Sequence, residues 1–246
     1  MALQAGLTAA LIVLVQRRHR RVVGDLKRRQ QRLSAELRQT RRMIWDSVNL
    51  VAALQPQVPL PPPGAWAVSA DLLAELVRRI LLERPGLVVE LGSGLSTVVI
   101  ALALRRTGGR LVAVDHDEAF AATTRATLEA HGLTEIAQVR VAPLVGGPSA
   151  ASAPWYREDA LADLAAIDLL IVDGPPAPVA AEVRYPALPF FWPRLKPGAA
   201  VVLDDADRPG EQTVIRRWQA EFKGVEVVRL DLEKGAVVLR KPPGAG

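Results

Sequence analysis

Five short apolar runs, LVVEL (87–91), LVAV (111–114), QVRV (138–141), DLLIV (168–172) and AAVVL (199–203), alternate with stretches whose apolar residues return every three or four positions. Near-continuous apolar runs of this length suit strands covered on both faces, and the intervening period suits helices over 69–83, 96–106, 158–165, 179–191 and 211–222. A further helix precedes His131 and stops at Gly132. VEVVRLDL and AVVLR, separated by EKG, read as a closing hairpin. Alternation of this kind predicts an α/β fold with a doubly wound parallel sheet, whose ligands bind beyond the carboxyl ends of the strands.

The residues at those ends carry the chemistry. The first run leads into ELGSGLST (90–97), where Gly92 and Gly94 permit a sharp turn and close approach of a ligand, and Ser96 and Thr97 begin a helix. As a dinucleotide fingerprint it is incomplete, because Thr97 stands at the third glycine. The second run ends in Asp115, about 20 residues after the glycines, where a carboxylate accepts ribose hydroxyls. His116 follows and is placed to meet an adenine ring, or is a partly exposed neighbour; His131 reads as a helix-end dipole contact. The fourth run ends in Asp173 and the fifth in Asp204 and Asp205. Three carboxylates at adjacent strand ends repel one another unless a cation or proton joins them. Oxygen donors select Mg²⁺, Mn²⁺ or Ca²⁺, whereas Arg184 and Arg208 offer ion pairs instead, or hold an acidic acceptor.

The N-terminal arm differs from this body. Residues 2–15 (ALQAGLTAALIVLV) carry no charge, and at 1.5 Å per residue they make about 21 Å of helix against a hydrocarbon core of about 30 Å. Residues 16–42 hold 11 Arg or Lys against two acids, so the whole chain's +5 leaves a body of about −4. A basic groove for nucleic acid is therefore not expected. The expectation for 1–15 is a retained membrane-associated segment, with the arginines on anionic headgroups and a cytoplasmic body at the inner face of the membrane. In 16–54, Leu26, Leu33, Leu37, Ile44, Val48 and Val51, with Gln30 and Thr40, form a narrow stripe that reads as a coiled coil and a route to a homodimer, or as a helix packed on its own domain. The proline-rich 55–64 ends the helix and separates the arm from a domain at 65–241, with a tail at 242–246. Having no cysteine, the chain has no disulfide, thiol nucleophile or cysteine-ligated zinc.

The glycine motif with its preceding acid, Asp115, Asp173, the LKPG turn (195–198) and the hairpin together resemble class I S-adenosylmethionine-dependent methyltransferases over residues 66–240. ELGSGLST, VDGPP, RYPAL and DDADR are similar to a small bacterial group within that superfamily. The resemblance implies a Rossmann-like seven-stranded sheet of order 3-2-1-4-5-7-6 with the last strand antiparallel. It implies that Glu90, Gly92, Gly94 and Ser96 hold the methionine end of the cofactor and Asp115 the ribose. Asp173, Asp204 and Asp205 match the metal ligands of catechol-type O-methyltransferases, with Asp205 where those have asparagine, and Asp173 and Asp204 are the catalytic candidates. Two departures stand out. Pro175 and Pro176 lie where those enzymes carry a catalytic lysine, and VAPL (141–144) lacks an acid near the adenine. VDGPP is also similar to a motif of glucuronoxylan 4-O-methyltransferases.

The expected reaction is O-methylation of a small-molecule or glycan hydroxyl, with or without Mg²⁺ or Mn²⁺. The loop at 142–155, with Trp155 and Tyr156, is placed to cover the acceptor or to pack. The alternatives are a membrane-tethered scaffold that keeps the fold without turnover, and a nicotinamide oxidoreductase on the same kind of sheet.

Overall fold

The computed structural model describes residues 2–61, 68–146 and 153–244, with side chains from residue 16 onward. Parts of the expected linker, of the 142–155 loop and of the tail, and the side chains of the apolar segment, lie outside the described residues. Residues 1–45 form one unit and 46–246 another.

Helix α1 (Ala2–Leu54) runs without a break across the expected boundary at residue 15. It ends where Gln55 takes a left-handed φ of 48° ahead of Pro56, a residue that cannot extend it. Its last turns belong to the second unit, with Leu50 and Leu54 buried in that unit's core. Among the described residues no helix is long and apolar enough to cross a membrane.

The second unit is built on seven strands, β1 (Leu87–Leu91), β2 (Arg110–Asp115), β3 (Ala137–Val141), β6 (Ile167–Val172), β7 (Leu195–Asp204), β8 (Glu226–Leu230) and β9 (Ala236–Arg240). Their order is β3-β2-β1-β6-β7-β9-β8, and β9 runs antiparallel to both neighbours. In chain rank this is the expected 3-2-1-4-5-7-6. Helices α2 (Ala70–Glu83), α3 (Leu95–Thr107) and α4 (Glu118–Ala130) lie in the core on one face, which takes Val88, Ala113 and Ile171. Alternate residues Val89, Val114 and Leu170 enter the other core with Trp218 of α6 (Pro209–Glu221) and Phe191 of α5 (Ala187–Phe191). Strand order reverses direction between β1 and β6, so a cleft opens at their carboxyl ends.

Two expectations change. Of the helix expected over 158–165 only a 3-10 turn, Glu158–Leu161, forms; of 179–191 only a 3-10 turn at Ala177–Val179 and the short α5 form. Pro175, Pro176, Pro178 and Pro186 remove the amides a longer helix needs. Second, Trp155 and Tyr156 follow the packing alternative, but as a strand in place of a loop: they make β5, paired with β4 (Leu144–Val145), and both are buried in the core. His131 is 1% exposed and its pKa is pushed down by burial and by Arg105. It stands at the helix end expected, as the C-cap of α4, where burial disfavours its charged form.

Candidate active site

At the end of β1 the backbone turns through Gly92, whose φ of 102° a side chain would strain, and the Gly92 amide donates to Val114 O at 2.8 Å. Thr97 organises the rest of the turn. Its hydroxyl accepts from the Gly94 amide at 3.0 Å, capping α3, and donates to Glu90 Oε2 at 2.7 Å. Glu90 is 1% exposed, and its other oxygen has no partner among the described residues. Burial pushes its pKa up to about 7, opposed by the hydroxyls of Ser96 and Thr97 and reinforced by the charge of Asp115.

Asp115, at the end of β2, is held across the same turn. Ser93 donates to its Oδ2 from the amide (3.0 Å) and the hydroxyl (2.7 Å), and the Asp117 amide donates to Oδ1 at 3.0 Å. A carboxylate oxygen accepts about two hydrogen bonds, so Oδ2 is filled by Ser93 and Oδ1 keeps capacity for a ligand. Ser93 was not singled out in the sequence; its signal was a hydroxyl between the two glycines. His116 Nδ1 lies 3.4 Å from Asp115 Oδ1.

The opposite wall comes from β6 and β7. Asp205, the residue after the strand, takes a left-handed φ of 58°. Carboxylate oxygens of Asp173, Asp204 and Asp205 come within 4.8 Å of one another. Arg184, 2% exposed, stands among them. Its guanidinium donates to the carbonyls of Asp173 (2.8 Å), Asp204 (3.1 Å) and Pro175 (3.3 Å), and Nη2 lies 3.1 Å from both Asp173 Oδ1 and Asp205 Oδ2. Arg208 adds a 2.6 Å contact to Asp205 Oδ2. Asp204 Oδ1 accepts from the Asp205 amide at 2.6 Å. Burial and then the charge of Asp205 push the Asp204 pKa up to about 6. Asp173 is driven well above the carboxylate range by burial first; Arg184 opposes this, and Asp204, Asp205 and Glu90 add to it.

These walls enclose a cleft of about 320 Å³, lined on one side by Gly92, Gly94, Ser96 and Asp115 and on the other by Asp173 and Asp205. Asp204 is not in its lining. Tyr156 is, from beneath: its hydroxyl is buried without a partner among the described residues, and a Cβ at Gly174 would run into it. The sequence placed Tyr156 in a loop, since a two-residue strand leaves no period to read.

Two buried orphan oxygens, Glu90 Oε1 and the Tyr156 hydroxyl, beside a glycine turn open at Gly94, suit a ligand that carries an ammonium group and hydroxyls. The three-aspartate set has the oxygen donors of a hard cation. Two of the three carboxylates, Asp173 and Asp205, nevertheless already hold arginine nitrogens, including those of Arg184, whose guanidinium is fixed by three carbonyls. As arranged, the residues do not fit a divalent ion.

Residues 89–206, from β1 to the turn after β7, match the model of a family described as a methyltransferase domain. Over that stretch the chain is similar to a methyltransferase domain. A comparison with curated protein sequences gave no match. Among solved structures, the domain is similar to the O-methyltransferase TomG of Streptomyces achromogenes, which was solved with S-adenosylmethionine. They share 21% identity over 72% of this chain and 82% of that one, with a TM-score of 0.55. An O-methyltransferase of Bacillus cereus with bound S-adenosylhomocysteine is 18% identical, covering 81% and 90%, TM-score 0.56. The Podospora anserina methyltransferase PaMTH1, also with bound S-adenosylhomocysteine, is 15% identical, covering 80% and 87%, TM-score 0.56. At these identities the likeness is one of fold.

Proposed function

We propose that the methyltransferase domain transfers the methyl group of S-adenosylmethionine to a hydroxyl of a small-molecule or glycan acceptor, with Asp173 as general base. The observation that carries this reading is one cleft with Asp115 and the glycine turn on one wall and Asp173 on the other, with Glu90 buried behind the turn. The cofactor supplies a methyl carbon on a sulfonium, open to in-line attack by an oxygen. Glu90 would hold its ammonium, Gly92, Gly94 and Ser96 its methionine end, and Asp115 its ribose hydroxyls. Asp173 takes the acceptor's proton, and Asp204, buried behind the cleft, together with Asp205 keeps Asp173 basic enough to do so. The S-adenosylmethionine and S-adenosylhomocysteine held by TomG and the Bacillus cereus enzyme lend support to this cofactor.

Incubating the protein with methyl-labelled S-adenosylmethionine and fractionated lysate tests the reading. Release of S-adenosylhomocysteine with label on a hydroxyl is expected. Cofactor binding without turnover in any fraction would favour a scaffold, and displacement of S-adenosylhomocysteine by NAD would favour an oxidoreductase. Replacing Asp115 by Asn should weaken cofactor binding by about tenfold in calorimetry, since one charge-assisted contact is lost.

Glu90 gives a pH-dependent prediction. An ionised Glu90 favours a cationic ligand, so affinity should rise at least about tenfold between pH 5 and 7, as the carboxyl ionises, and fall above about pH 8, as the ligand's amine loses its proton. Glu90→Gln should flatten the lower limb and weaken binding roughly ten- to hundredfold. Without ligand the sign reverses. A buried acid with a folded pKa of about 7, against an ordinary 4.5, destabilises the fold as pH rises through that window, by on the order of 3 kcal/mol when complete. The Gln variant should therefore melt higher than the parent at pH 8 and equally at pH 4. Equal melting at pH 8 would show that Glu90 is not a strained acid.

A further inference from the structure

We infer that residues 23–44 of α1 form a parallel two-stranded coiled coil with a second copy of this chain. The arm is a unit of its own, and no described residue covers its apolar stripe: Leu26, Leu33, Leu37 and Ile44 are each about 60% exposed along one face. Four such side chains on one face of a continuous helix call for a partner. Their spacing is a heptad, with Val23, Gln30, Leu37 and Ile44 at a and Leu26, Leu33 and Thr40 at d.

The identity of the partner comes from the charges beside the seam. Positions g are Val22, Arg29, Glu36 and Met43, and positions e are Lys27, Ser34 and Arg41. In a parallel pair each g residue meets the e residue five positions later in the partner. The contacts are then Val22 with Lys27, Arg29 with Ser34, and Glu36 with Arg41, so no like charges meet and one pair attracts. An antiparallel pair would instead set the Lys27 and Arg41 rows against one another. The remaining bases, Arg28, Arg32, Arg38 and Arg42, fall at b, c and f and point away from the stripe. This explains how so basic a helix can pair with itself. Gln30, a polar residue at a, fixes the register. In the single helix the Glu36 carboxylate pairs with Arg32, at 3.2 Å and exposed, a contact of little strength that it can give up.

Sedimentation equilibrium of the full chain tests the inference. The expected mass is twice 26.5 kDa at micromolar protein. Glu36→Arg and Arg41→Glu, each of which sets like charges together at both symmetric contacts, should each raise the dimer dissociation constant at least about tenfold. The double variant E36R/R41E should restore it to within about threefold of the parent. A 26.5 kDa monomer at all concentrations overturns the inference. So does a dimer that ignores both single changes, or a monomer that co-floats with phosphatidylserine vesicles, which would assign the stripe to lipid.

Discussion

Asp173→Asn should lower the turnover number by about 10²- to 10⁴-fold, the usual contribution of a positioned general base, while leaving cofactor affinity within about threefold of the parent. The substitution keeps the size of the side chain and an oxygen for Arg184 Nη2, which donates to Asp173 Oδ1 at 3.1 Å, so the wall of the cleft should stand. What it removes is a carboxylate at the cleft surface whose proton affinity is raised by burial, against the pull of Arg184. A base of higher pKa accepts a hydroxyl proton more readily, provided it is ionised when the acceptor arrives. The parent rate should therefore fall as pH drops through the titration of the coupled Asp173 and Asp204, the latter at about 6, and the Asn variant should lack that limb. Steady-state kinetics from pH 5 to 9 decide the point. A rise in KM with an unchanged turnover number and an unchanged acid limb would make Asp173 a binding residue and place the base elsewhere.

The residues that define the cleft were legible where function sits on a local pattern. Glu90 to Thr97, Asp115, Asp173 and Asp204 each follow an apolar run, and an apolar run that stops at a glycine or an acid marks a strand's carboxyl end without knowledge of the fold. Arg184 illustrates the limit. It lies 11 residues beyond Asp173 and 20 before Asp204. The segment between is broken by prolines and has no period, so no local signal shows that one guanidinium serves three strand-end carbonyls and two carboxylates. In sequence, Asp204 and Asp205 read as two equivalent ligands. Yet Asp205, at a left-handed turn, reaches the cleft lining, and its neighbour does not. Such a turn at a non-glycine residue depends on tertiary contacts, here with Arg184 and Arg208. Tyr156 was out of reach for a similar reason, since its strand is two residues long and its partner strand lies ten residues away in sequence.

Replacing Arg184 by Met, which keeps length and apolar volume but removes the charge and the five donors, should lower the unfolding free energy by about 3 to 5 kcal/mol at pH 8. It leaves Asp173 without an ion-pair partner, Asp205 with Arg208 alone, and the carbonyls of Asp173, Pro175 and Asp204 without that donor. The deficit should shrink on acidification. Acids whose folded pKa values are raised destabilise the fold above those values and cease to do so once protonated, which for Asp204 begins near pH 6. The same change exposes the question of a cation. In the parent, Arg184 and Arg208 already occupy Asp173 and Asp205, so millimolar Mn²⁺ should leave the melting temperature unmoved and a chelator should leave turnover intact. In Arg184→Met the carboxylates are free of that guanidinium, and Mn²⁺ should recover part of the lost stability, because an ion bound only by the folded state stabilises it by mass action. Lysine at 184 should restore less than the parent arginine, since one ammonium cannot span both carboxylates and all three carbonyls. The opposite pattern would assign the cluster to a metal: a parent that melts higher with Mn²⁺ and loses turnover to a chelator, beside an Arg184→Met variant of unchanged stability. Arg184 would then be a bystander, and the two charges after β7 would be ligands in place of an arginine-bound electrostatic support for Asp173.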